Sequence, residues 1–281
     1  MTASLVRHRP PHADTTETRH SPSARARDWA EIQERMLVPL HEAVHERLDV
    51  GPATRLLGLR CGSGLALLPA VARGAAVTGV DSCPELLALA RERLLPADRD
   101  GAGARTELCA RLPRATEHAP FTLVTLFEPL RRPADGSEEP GRLLADALPL
   151  AARGAAVVLA GWGPPERCAT SSVLRVAAKL ADPLRRADGW RPAGRDDLEE
   201  TARRAGLRPD GSGRVSCPFG YADPDSAVRG LLATGLFDAA ARATGAEQVD
   251  KELAEALHPY RRPDGTVRMP NVLRYLIARV P

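Results

Sequence analysis

From Asp28 onward, large apolar residues recur at steps of three and four, at Trp29, Ile32, Met36, Leu37, Leu40, Val44 and Leu48. That spacing gathers them on one face, so it predicts an amphipathic helix, bent at Pro39 where the ring removes a backbone donor. Residues 1–27 mix Pro, His, Thr, Ser and Arg with few large apolar groups. They bury too little surface to offset the entropy of ordering, which predicts a flexible leader. After Gly51-Pro52 the pattern changes to short apolar runs alternating with helical segments: Arg55–Leu59, Leu65–Ala72, Ala75–Val80, Pro84–Leu94, Phe121–Phe127, Leu143–Ala152 and Ala155–Ala160. Strand and helix in turn imply right-handed crossovers and a parallel sheet covered on both faces, a doubly wound α/β architecture. Further on, Thr170–Leu184, Asp196–Ala205, Ser226–Ala243 and Glu247–Leu257 have helical period, Arg214–Cys217 is a short apolar-edged run, and Asn271–Val280 reads as a closing strand. The chain thus divides into four stretches: the leader over 1–27, an N-terminal helical segment over 28–50, an α/β core over 51–165, and the rest of the sheet with a helical cap over 166–281.

Composition narrows the class. The 39 basic and 36 acidic side chains leave a net charge of +3, and the basic residues are scattered rather than gathered into a stripe. No nucleic-acid partner is therefore expected. Lysine occurs only at Lys179 and Lys251 and alanine is abundant, the bias of a GC-rich genome. Five cysteines, Cys61, Cys83, Cys109, Cys168 and Cys217, are odd in number, widely spaced and form no CxxC pair, so they read as reduced, buried thiols. No apolar run has the length of a signal peptide or a bilayer span, which predicts a cytoplasmic protein with no membrane partner.

The chemistry lies in Arg55-Leu-Leu-Gly-Leu-Arg-Cys-Gly-Ser-Gly64 and in Val77-Thr-Gly-Val-Asp81. A strand running into a glycine-rich turn and then a helix lets the backbone approach a cofactor where a Cβ would obstruct it. A second strand then ends in a carboxylate about 20 residues later, the spacing at which an acid meets ribose hydroxyls. This pair of segments resembles motif I and the following acidic motif of class I S-adenosylmethionine (SAM) dependent methyltransferases. Asp81-Ser-Cys-Pro-Glu-Leu-Leu-Ala-Leu-Ala-Arg91 is similar to the helix start that follows in that family, and the likeness continues through Pro120–Phe127 as the fourth strand and Leu148–Trp162 as helix and fifth strand.

The resemblance implies a Rossmann-like, seven-stranded, mostly parallel sheet with a helical cap, SAM as cofactor, and an enzyme acting on a small-molecule oxygen, nitrogen or carbon nucleophile as monomer or homodimer. It places Cys61, Gly62, Ser63, Gly64, Asp81, Ser82, Cys109 and Phe127 at the cofactor, with Asp81 facing the ribose. Trp29, Trp162 and Tyr221 are candidates for an apolar acceptor pocket, and Glu128, just after the fourth strand, for catalysis. A nicotinamide fingerprint would need a third glycine where Leu67 stands.

Two departures bear on SAM binding: Gly58 stands where the family has an acidic residue, and Arg60 where it has its first glycine. They support an alternative, a methyltransferase-like protein that has lost methyl transfer and binds a ligand as a regulator or acts as a SAM-independent catalyst. His41-Glu-Ala-Val-His45 matches the HExxH zinc pattern, yet no third ligand follows at a recognisable spacing, so no metal is expected. These histidines are either two polar residues on one face of the first helix or, on a helix lying over the active site, general bases.

Overall fold

The computed structural model describes residues 21–95, 105–115, 119–127, 140–181 and 196–281. The chain enters through α1 (Pro22–Asp28), whose first turn is capped by the Ser21 side chain accepting from Ala24 N at 3.2 Å, with Pro22 in the first helical position. A π-helical turn over Trp29–Gln33 and a 3-10 turn over Glu34–Leu37 lead into α2 (Val38–Arg47), which begins around Pro39. The helix starts at Pro22 rather than Asp28, and the expected single helix is instead divided into α-helical, π-helical and 3-10 pieces before α2. Ala26 is buried against the core, so the expected leader is wrong in its last residues; its remainder, 1–20, lies outside the described residues.

The core then alternates as expected: β1 (Arg55–Leu59), α3 (Leu68–Ala72), β2 (Ala76–Val80), α4 (Pro84–Leu94), β3 (Thr106–Cys109), β4 (Phe121–Leu126), α5 (Pro140–Ala147) and β5 (Ala151–Trp162). After α6 (Thr170–Ala181) and α7 (Asp197–Arg204) come β6 (Arg208–Ser216), β7 (Phe219–Tyr221), α8 (Pro224–Leu232), α9 (Asp238–Thr244), α10 (Ala246–Ala256), β8 (Val267–Met269) and β9 (Val272–Arg279). Seven strands form one sheet in the order β3-β2-β1-β4-β5-β9-β6. The first five are parallel, with Leu57 opposite Thr78 on one side and Val124 on the other. β9 runs antiparallel between β5 and β6.

Successive residues of β1 serve opposite faces, as the two-residue period requires. Leu56, Val77, Leu123 and Val158 pack with Leu40 and Val44 of α2. Leu57, Val80, Val124 and Val157 pack with Leu144 and Ala147 of α5 and Ala202 of α7. Both faces are therefore dry, which explains the continuous apolar runs in place of alternation.

The cap differs in detail from the expectation. β6, longer than the short run at Arg214–Cys217, is an edge strand of the main sheet. The long helix expected over Ser226–Ala243 is two, α8 and α9, parted at Thr234-Gly235, where Gly235 adopts φ +73°. A small second sheet pairs Phe219 with Met269 and Tyr221 with Val267.

Candidate functional site

β1 ends at Leu59 and the chain turns sharply at the carboxyl edge of the sheet, beside the switch point where β1 is flanked by β2 and β4. This is where open α/β sheets bind ligands. The turn needs left-handed backbone at Arg60 (φ +49°), Gly62 (+57°) and Gly64 (+78°), and only Arg60 adopts it against the steric preference of its side chain. Gly58 and Gly79 have a different task. A Cβ on Gly58 would lie 2.5 Å from Leu67 Cδ2, and one on Gly79 2.7 Å from Leu67 Cδ1, so the two strands leave a slot into which Leu67 packs.

Asp81, 1% exposed at the end of β2, accepts from Gly62 N and from Cys83 N, each at 2.9 Å. The carboxylate expected to face a ribose thus clamps the glycine turn to the start of α4. Ser82, next to it, is exposed, and Cys109, at the end of β3, is half-buried with its thiol 3.3 Å from Glu107 Oε1. Cys61 and Ser63 are buried within the turn itself. Of the five thiols, Cys61, Cys168 and Cys217 are buried, Cys83 and Cys109 only partly, and none is in a disulfide.

The π-helical and 3-10 turns lie directly over the glycine turn. Glu34 Oε1 is 2.7 Å, and Trp29 Nε1 3.1 Å, from the point a Cβ on Gly62 would occupy. Ser63 Oγ donates to Glu34, while Arg93 of α4 donates to Ser63 O at 2.8 Å and to Glu34 Oε2 at 3.3 Å, and also contacts Ser63 Oγ. Trp29, expected in an acceptor pocket, instead covers the turn; its buried indole N–H has no acceptor among the described residues. A buried donor left unpaired costs about 1–3 kcal/mol. Neither Glu34 nor Arg93 stood out in the sequence, where both look like charges on solvated helix faces.

His41 and His45 are buried, at 2% and 0% exposure. Both rings meet Phe127 just beyond β4, with centroids 5.0 and 6.1 Å from it. Burial, with His45 beside it, lowers the pKa of His41 to about 3; burial, with Arg73 nearby, lowers that of His45 to about 4. The pair is neutral near pH 7, and His41 Nδ1 and both nitrogens of His45 lack partners among the described residues. Phe127 therefore packs on histidine rings. Among the described residues, no three His, Cys, Asp or Glu side chains are grouped to hold a metal ion.

Tyr221, expected in the acceptor pocket, is buried with its hydroxyl donating to Gln33 Oε1 at 2.9 Å, and burial pushes its pKa upward. It ties β7 to the π-helical turn. Trp162, half-buried at the end of β5, packs on Phe219 with centroids 6.1 Å apart. Glu128 lies outside the described residues. Beyond β5 a cavity of about 530 Å³ opens among Cys168, Ser171, Ser172, Arg175, Tyr260 and Asn271. It is on the same carboxyl edge as the glycine turn, but lined from β9 and β6, three to four strands from β1, about 14–19 Å across the sheet at the usual strand spacing.

No family model matches the chain, and no curated protein matches it by sequence. Solved structures do. A protein of Bacillus halodurans C-125 held to be a methyltransferase superposes with a TM-score of 0.52 at 16% identity, over 86% of this chain and 98% of that one. The YcgJ protein of Bacillus subtilis gives 0.51 at 13% identity, over 86% and 98%. Phosphoethanolamine N-methyltransferase 2 of Haemonchus contortus, solved with phosphomonomethylethanolamine and S-adenosylhomocysteine, gives 0.50 at 16% identity, over 94% of this chain and 58% of that one. The seven-stranded sheet, its order and its antiparallel β9 thus have the fold in which methyltransferases are built.

Proposed function

We propose that the protein is a SAM-dependent methyltransferase acting on a small molecule. The observation that carries this is the glycine turn at the carboxyl end of β1, clamped to Asp81 at the end of β2, at the switch point of a sheet with the methyltransferase fold. The left-handed glycines of the turn, Gly62 and Gly64, give the backbone form that a cofactor approaches, and Trp29 has an unused donor beside Gly62. Cys61 to Gly64, Asp81, Ser82, Cys109 and Phe127 are the residues proposed to line the cofactor site.

When bound, SAM supplies an electrophilic methyl group. The chain's own residues then have to align the acceptor and exclude water, and a strong acid–base apparatus is optional. The cavity beyond β5 gives a small acceptor room on the same edge of the sheet, walled by Cys168, Ser171, Arg175, Tyr260 and Asn271 rather than by Trp29, Trp162 and Tyr221. His41 and His45 are uncharged near neutrality and present lone pairs, the state a proton acceptor needs, though their lowered pKa makes them weak bases. Glu128 remains the third candidate. A cytoplasmic monomer or homodimer without nucleic-acid or membrane partners completes the reading, supported by the balanced charge and by the lack of any described helix long and apolar enough to cross a membrane.

One observation favours a second reading, that of a methyltransferase-like protein without methyl transfer: Glu34 and Trp29 stand against Gly62, and Arg60 is buried in the same turn. Calorimetry with SAM and S-adenosylhomocysteine on the full chain separates the two. Micromolar binding of either supports the enzyme; no heat with the wild type or with Glu34→Ala rejects it.

A further inference from the structure

Glu34 stands where a ligand of the glycine turn would stand. One carboxylate oxygen faces Gly62; the other receives the Ser63 hydroxyl and the Arg93 guanidinium, the latter at 3.3 Å. Arg93 is fixed for this role by its 2.8 Å bond to Ser63 O. A hydroxyl and a guanidinium converging on one oxygen are the donors that recognise a carboxylate. Ser63 is fully buried and Glu34 4% exposed, so the arrangement is enclosed rather than a surface ion pair.

Two further observations show that Glu34 fills this site without completing it. The Trp29 indole N–H, beside Glu34 over Gly62, has no acceptor among the described residues. The backbone that carries both residues is π-helical and then 3-10, leaving the regular α-helical ladder where the chain meets the turn; such departures gather at functional sites and hinges. The segment is moored elsewhere, by Arg25 to Asp238 at 3.0 Å, by Asp28 to Arg229, and by Gln33 to Tyr221.

We propose that Arg93 and Ser63 form a binding site for the free carboxylate of a small ligand, and that Glu34 is an internal competitor which keeps the site closed until that ligand displaces it. One carboxylate replaces another, so the charge of Arg93 stays neutralised throughout. Withdrawal of Glu34 uncovers Gly62 and gives Trp29 room to find an acceptor on the ligand. The inference rests on the function proposed above only for the ligand's identity: SAM, with its amino-acid carboxylate, is one member of the class.

Chemical rescue on the full chain tests it. Glu34→Ala removes the competitor, and propionate restores the carboxylate that the side chain carried. The thermal unfolding midpoint of Glu34→Ala, and of Glu34→Gln as a shape-preserving control for folding, should rise further with sodium propionate than with propionamide or sodium chloride at equal concentration. Wild type and the Glu34→Gln/Arg93→Gln double variant should show no such preference. In parallel, Glu34→Gln should bind S-adenosylhomocysteine about tenfold tighter than wild type, a gain of about 1.4 kcal/mol. 5′-Methylthioadenosine, which lacks the carboxylate, should gain much less. Equal responses to propionate and propionamide in both single variants overturn the proposal. Propionate rescue without S-adenosylhomocysteine binding keeps the carboxylate site and removes the cofactor reading. S-Adenosylhomocysteine binding at unchanged affinity in Glu34→Gln, without rescue, does the reverse.

Discussion

At the scale of single residues, Gly58 and Leu67 are coupled. Gly58 looked like the loss of an acid, but the slot it shares with Gly79 is filled by Leu67, so a larger side chain there meets a packed leucine at 2.5 Å. Gly58→Asp should therefore destabilise the protein by about 1–3 kcal/mol in urea denaturation, with part of the loss regained when Leu67→Ala is added; an unchanged midpoint would refute the packing argument. Asp81, at the end of β2, holds the glycine turn that follows β1. Because it accepts two backbone N–H groups, Asp81→Ala should cost about 1.5–3 kcal/mol of stability with no ligand present. A variant that loses only ligand affinity would show that the clamp matters little. The histidines give a pH dependence. Their folded pKa values, about 3 and about 4, lie below the ordinary 6.5, so below that pH the unfolded chain binds more protons. Stability is complete above about pH 6.5 and falls as the pH drops towards 4, by up to about 1.4 kcal/mol per pH unit for each ring. His45→Phe should flatten that limb of the stability profile, and a slope equal to the wild type's would show that His45 titrates alike in both states.

At the scale of elements, the entry helix shows where periodicity misleads. Trp29, Ile32, Met36 and Leu37 follow the α-helical period, yet Glu34 N donates to Trp29 O, five residues back. That wider turn shifts the phase of the residues after it, and Gln33 and Glu34 become fully or nearly fully buried while Ile32 and Met36 are only partly so. Asp28 anchors this segment to Arg229 on α8, a pair with the Arg half-exposed and the Asp side chain at 12%. Solvent screening limits its worth to under about 1 kcal/mol, so Asp28→Asn should leave the global midpoint nearly unchanged. It should, however, speed amide exchange over 21–37 relative to β1, because local opening needs far less than global unfolding. Uniform exchange rates in that variant would show that the segment opens only with the whole fold.

At the scale of the whole molecule, the sheet is covered on both faces, and adjacent residues of β1 test this. Leu56 packs towards α2, Leu57 towards α5 and α7, and neither is exposed. Each change to alanine should cost about 2–5 kcal/mol; in a sheet with one wet face, only one of the two would. The alternation of apolar runs and helical segments, with glycines at the ends of β1, made the fold class, the glycine turn and Asp81 legible in the sequence, because these depend on local period and backbone sterics. The mutual placement of distant side chains was not legible. Glu34, Ser63 and Arg93 come from three parts of the chain, 29 and 30 positions apart, and in the sequence Glu34 and Arg93 are ordinary helix charges. What made them a site was the packing of the entry segment over the turn. The same holds for His41 and His45, whose spacing matched a zinc pattern and whose burial on Phe127 only the fold decided, and for β6, whose polar run revealed no strand until β9 supplied its hydrogen bonds. Local period and chain stiffness act within a few residues and so are written in the sequence; burial, desolvation and ion pairing depend on what the rest of the chain brings alongside, and tertiary structure alone decided them.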